Sequence, residues 1–179
     1  MKRTLTLIVM LGLFVFTQNA FAQKPAASPL ATVKQMIGTT EMELVYSRPS
    51  LAGRDANELV NTLNKGVWRT GANTNTIIAF DKDVTLGGKA LKAGRYALWT
   101  VPGDKEWKVI ISSITDKWGT SYDNSGDVMS FMAPVTKTSN KVETFVINLT
   151  DFDKNSMDKG NIELAWGNLS VKFPVKVNN

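Results

Sequence analysis

Leu169-Ser170-Val171-Lys172-Phe173-Pro174-Val175-Lys176-Val177 closes the chain with a strict alternation of apolar and polar side chains. A period of two turns successive side chains to opposite faces of an extended backbone. The stretch therefore reads as a strand with one face on a core. Pro174 stands on the polar face and has no N–H to give a neighbour, which predicts an edge strand or a bulge there. The same period recurs upstream. Met42, Leu44 and Tyr46 alternate with Glu41, Glu43 and Ser47. Trp107, Val109 and Ile111 alternate with Lys108, Ile110 and Ser112, and Phe145, Ile147 and Leu149 with Thr144, Val146 and Asn148.

The connectors are short. Gly87-Gly88, between Val84-Thr85-Leu86 and Lys89-Ala90-Leu91, is a two-residue hairpin signal. Pro102-Gly103-Asp104 separates the apolar runs 96–101 and 107–112, and Trp166-Gly167-Asn168 separates 162–166 from the last strand. Only residues 56–63 have helical spacing, with Leu59, Val60 and Leu63 on one side and Asp55 as N-cap. Short strands joined by turns predict an all-β chain: an antiparallel β-sandwich or jelly-roll-like barrel with one short helix.

The N-terminus speaks to compartment. Lys2 and Arg3 precede an apolar run over 5–16, then Thr17-Gln18-Asn19 and Ala20-Phe21-Ala22. This is the layout of a signal peptide over 1–22. The run is shorter than the roughly 20 apolar residues that span a bilayer. Cleavage near Ala22 leaves Gln23 first, with no cysteine there to carry a lipid, and removes 22 of 179 residues to leave 157. The expectation is a periplasmic or secreted protein with no membrane span after cleavage. Residues 23–31, with Pro25 and Pro29, read as a flexible leader, and 32–179 as a single β-sandwich domain. A chain of this size buries about 70% of its unfolded surface.

Composition excludes much chemistry. Without Lys2 and Arg3 the chain keeps 19 basic and 16 acidic residues, a net charge of +3, with its lysines scattered. Nucleic-acid binding needs a concentrated basic stripe, so no nucleic-acid partner is expected. The absence of both Cys and His removes thiol and imidazole catalysis, disulfides and His- or Cys-ligated metals. What is left is Asp, Glu, Lys, Tyr, Ser and Thr, or a metal held by oxygen. Asp151-Phe152-Asp153-Lys154-Asn155 begins like a calcium loop, but the sixth position is Ser156 and the twelfth Ile162, where Gly and Glu are required. Asp123-Asn124-Ser125-Gly126-Asp127 reads first as a turn. No metal or cofactor is predicted. Asp55, Glu58, Asp81 and Asp83 are available for carboxylate chemistry, and nothing in their spacing singles out a pair.

Arginine usage draws attention to one region. After residue 22 there are 15 lysines and four arginines, and Arg48, Arg54 and Arg69 fall between Tyr46 and Asn73. Lysine is the ordinary surface cation here, so clustered arginine points to planar, multidentate hydrogen bonding. Two readings follow. The arginines fasten a long connection by pairing with Asp55, Glu58 or loop carbonyls. Alternatively, Arg48, Trp68, Arg69, Asn73 and Tyr46 line a pocket for a small polar, anionic or glycan ligand. Among five tryptophans, Trp107 and Trp166 lie on apolar strand faces, whereas Trp118, in Lys117-Trp118-Gly119-Thr120, is the candidate for exposure.

Four segments recur in order: Tyr46-Ser47-Arg48-Pro49; Val67-Trp68-Arg69-Thr70-Gly71-Ala72-Asn73; Ala93-Gly94-Arg95-Tyr96-Ala97-Leu98 with Val101-Pro102; and Trp107-Lys108-Val109-Ile110. Together they resemble Domain of Unknown Function family 2911, a group of exported bacterial proteins, and Trp-Arg-Thr-Gly-Ala-Asn is the specific element. The resemblance implies export and a β-rich fold, and no activity. The chain departs from the family pattern at 60–66, where Val-Pro-Tyr-Gly is expected, and after Asp127-Val128, where Met129-Ser130 replaces an arginine. The leading expectation is a non-enzymatic binding module for a small ligand or an envelope partner. An Asp/Glu-dependent hydrolase of a glycan or other polar substrate is the alternative, and a structural envelope protein the third.

Overall fold

The computed structural model describes residues 24–62 and 66–177. The signal peptide expected over 1–22, and Leu63 at the end of the expected helix, lie outside the described residues. Among these residues nine strands and one α-helix follow in order: β1 (Leu30–Ile37), β2 (Thr40–Ser47), α1 (Ala56–Thr62), β3 (Ala72–Phe80), β4 (Val84–Leu86), β5 (Lys89–Leu91), β6 (Gly94–Val101), β7 (Glu106–Ser112), β8 (Asp127–Thr150) and β9 (Lys159–Val177). They form one antiparallel sheet in the order β1-β2-β3-β6-β7-β8-β9-β4-β5.

The ladder folds over on itself through β8. Its first part, from Asp127 to Pro134, pairs with β7, and its second part, from Val135 to Thr150, pairs with β9. The two halves of the sheet therefore face each other in a sandwich-like arrangement. Met42, Leu44 and Tyr46 of β2, Val109 and Ile111 of β7, Phe145 and Ile147 of β8 and Val171, Phe173 and Val175 of β9 meet in one buried cluster. Each large side chain so buried stabilises the fold by about 1.5–3 kcal/mol relative to exposure. Past β2 the chain crosses between the halves. The Phe145 N–H donates to the Pro49 carbonyl, and the Leu51 N–H to that of Glu143.

The all-β expectation with one short helix is met, and its details sharpen. Asp55 caps α1 by accepting from the N–H groups of Asn57 (2.8 Å) and Glu58 (3.2 Å). Gly87 and Gly88 take φ of 56° and 80°, as a tight hairpin between β4 and β5 requires. Pro174 is exposed between two ladders, since β9 pairs with β8 up to Val171 and with β4 from Val175. Ile110, on the polar side of the sequence pattern, is buried. It joins Ile77, Ala97 and Trp99 in a second cluster on the outer face, closed by Tyr122.

One connector is corrected. Trp166-Gly167-Asn168 does not separate two strands; β9 runs unbroken for 19 residues. Gly167, at φ 60°, instead lies within β9 opposite Val142, where extra residues on β8 shift the β8–β9 register. β1 begins at Leu30, inside the stretch read as leader, and Arg48 donates its backbone N–H to Pro29 just ahead of it. Among the described residues no helix is long and apolar enough to cross a membrane.

Candidate functional site

The Trp-Arg-Thr-Gly-Ala-Asn segment makes a tight excursion at the β6 edge. Trp68 pairs with Thr100, and β3 rejoins the same strand with Thr76 opposite Leu98. Trp99 lies between those pairings. Arg69, which follows Trp68, and Asn75, which precedes Thr76, therefore converge beside it. Thr70 and Asn73 both take left-handed backbone, at φ 55° and 59°. Such conformations cost non-glycine residues about 1–2 kcal/mol, and local bonds hold them. Thr76 Oγ1 donates to the Thr70 carbonyl at 2.7 Å, Trp68 Nε1 donates to Gly71 at 3.0 Å, and the Thr70 and Thr100 hydroxyls meet at 3.1 Å.

The segment 113–126 covers this loop. Thr74 bridges to Trp118, and Gly119 sits so close that a Cβ there would stand 2.1 Å from Arg69 Cδ and 2.4 Å from the Asn73 carbonyl oxygen. Only glycine permits that approach. Beneath it, polar atoms are left over. Arg69 Nη1 makes one long bond to the Gly119 carbonyl, 3.5 Å, and its Nε is buried without a partner. Arg69 forms no ion pair among the described residues, and burial pushes its guanidinium pKa down. Asn75 is 5% exposed, and neither its amide nitrogen nor its oxygen has a hydrogen-bond partner in the protein. Trp99 packs on Tyr122 at 5.1 Å, and the Tyr122 hydroxyl donates to Asp127 at 2.6 Å. Burial and that carboxylate push the phenol pKa up. Trp118 is 58% exposed beside the loop.

Of the five residues expected to bind, the structure brings Arg69 and Asn73 to this place. Asn73 donates to the Ser28 carbonyl and to Ser47 Oγ, both at 3.3 Å. The other three serve the interior. Trp68 is 1% exposed and stacks on Trp166 at 5.6 Å, with edge contacts to Trp107 and Phe145. The Tyr46 hydroxyl accepts from the Ile147 N–H at 2.9 Å across the sandwich. Arg48 Nε donates to the Phe145 carbonyl, and Arg54 donates to the carbonyls of Leu51 and Ser50. Asn75 was not singled out in the sequence. Its one signal is an amide sharing a strand face with Ile77, and the covering segment is far away in sequence.

The carboxylates have structural partners. Asp81 accepts from the Glu41 N–H, and Asp83 pairs with Lys92. Asp151 and Asp153 flank one cavity. Lys172 holds Asp151 below its ordinary pKa, and Lys159 with the N–H groups of Asn155 and Ser156 holds Asp153 at about 2. A glycosidic acid–base pair needs one member protonated near neutral pH, and neither is. Among the described residues no group of three acidic side chains is placed to hold a metal ion.

The family model described as "Protein of unknown function (DUF2911)" matches residues 28–175. Comparisons with curated proteins and with solved structures give no match. The matched span takes in β1 to β8, β9 up to Val175 and the Arg69 loop, and the chain belongs to the DUF2911 family.

Proposed function

We propose that this chain is an exported binding module for a small carboxylate that carries a neighbouring hydroxyl, sugar acids included. One observation carries the reading: Arg69, half-buried and without an ion pair among the described residues, and Asn75, a buried amide whose donor and acceptor are both unpartnered there, flank the same position of β6. A buried polar group left unpaired costs about 1–3 kcal/mol, so the arrangement favours a ligand that completes it. A carboxylate accepts from Arg69 Nε and Asn75 Nδ2, and a hydroxyl donates to Asn75 Oδ1. Charge-assisted bonds of this kind are the stronger class. Exposed Trp118 offers an apolar face to a sugar ring at the rim. Export rests on Lys2-Arg3, the apolar run and Ala20-Phe21-Ala22.

A thermal-melt panel tests the reading. Glycolate and galacturonate are expected to raise the melting temperature by several degrees at saturation, because a hundredfold excess over Kd stabilises by about 2.7 kcal/mol. Propionate, which lacks the hydroxyl, and glucose, which lacks the charge, give less. Arg69→Met and Asn75→Leu lose the gain, and Asn75→Leu alone melts no lower than wild type, since it removes two unpaired groups. No shift with either acid, or the same shift in both variants, contradicts the proposal.

A further inference from the structure

Gly167 does more than turn the backbone of β9. Its Cα lies so close to α1 that an added Cβ would stand 2.9 Å from Ala56 Cβ, so the helix is seated on β9 at this glycine. Opposite, the β8–β9 register slips between Lys137 and Val142. Between helix and bend lies a cleft of about 290 Å³ lined by Arg54, Asn57, Lys137 and Lys141. A second cavity of about 310 Å³ shares Asn57 and Lys137 with it and reaches Asn61 and Asp104. The two cavities lie side by side along this groove, divided by the walls they share, and each is close to the size range of small-ligand sites.

Its charge is uneven along its length. Lys137 and Lys141 form no ion pair among the described residues. Arg54 is fixed by Nε and Nη2 on the carbonyls of Leu51 and Ser50, which leaves Nη1 without a partner among the described residues. The acid in the first chamber, Asp55, accepts the N–H groups that open α1. Arg54 and Lys141 line the first cavity alone, and Lys137 stands on the wall that it shares with the second. Amides and a carboxylate, groups that bind hydroxyls, line the second.

We propose that this groove is a second binding site, for a phosphorylated sugar. The phosphate sits against Arg54, Lys137 and Lys141, and the sugar hydroxyls lie along Asn57, Asn61 and Asp104. Guanidinium and ammonium groups recognise phosphate through charge-assisted bonds. Asp104 accepts from hydroxyls and repels a second anion, which sets the orientation.

Melting curves with glucose 6-phosphate, inorganic phosphate and glucose separate the possibilities. Glucose 6-phosphate is expected to bind at least tenfold more tightly than inorganic phosphate, and glucose not to bind at millimolar concentration. The double variant Lys137→Ala/Lys141→Ala loses the gain. Asp104→Ala brings glucose 6-phosphate to the level of inorganic phosphate. Arg69→Met keeps the gain in full, so this site stands or falls apart from the Arg69 site. Equal binding of the two phosphates to wild type, survival of the gain in the double variant, or no gain at all overturns the proposal.

Discussion

Asp153 accepts from Lys159 Nζ at 2.9 Å and from the N–H groups of Asn155 and Ser156 at 2.9 and 3.1 Å, a full set of donors for one carboxylate. Its pKa falls from the ordinary 3.8 to about 2. A carboxyl lowered by folding stabilises the fold above its unfolded value and loses that contribution as pH drops through the folded value. Asp153→Asn is therefore expected to lower the urea midpoint at neutral pH. The gap to wild type narrows below about pH 4 and closes near pH 2; a gap that stays constant to pH 2 contradicts the assignment. Asn75 is the opposite case, a buried side chain with no protein donor or acceptor. The sequence distinguished these two only in part. The Asp-x-Asp pattern at 151–153 read as the opening of a calcium loop that fails at its sixth and twelfth positions. Nothing near Asn75 showed that residues forty positions on would bury it.

Two strands do most of the architectural work. β8 and β9 are 24 and 19 residues long, far beyond the five or six residues of an ordinary strand. Their alternation was legible at both ends, around Phe145 and Leu169, because each end faces one core. Their continuity was not. A glycine between two periodic runs reads as a turn, and only pairing across the sheet reveals the unbroken strand, with the extra residues on its partner. Gly167→Ala tests the need for glycine there. It forces an L residue to left-handed backbone, which costs about 1–2 kcal/mol, and drives a methyl against Ala56. The expected loss is about 2 kcal/mol in urea unfolding; an unchanged midpoint contradicts it.

At the scale of the molecule, the fold is held without disulfides by a sheet folded over one aromatic and aliphatic core. Trp68 joins that core to the Arg69 loop: its ring packs on Trp107, Phe145 and Trp166, while the next residue faces the outer surface. This is why residue types alone left two readings open for the arginine-rich region. Arg48 and Arg54 fasten the crossing, and among the described arginines only Arg69 has a buried side-chain nitrogen without a partner. The division could not be made from residue types, which are the same in all three. The most direct check of the binding account is a crystal structure grown or soaked with glycolate. The account expects the carboxylate on Arg69 Nε and Asn75 Nδ2 with the hydroxyl on Asn75 Oδ1. Protein atoms or ordered water alone closing those bonds, with glycolate absent or elsewhere, would contradict it.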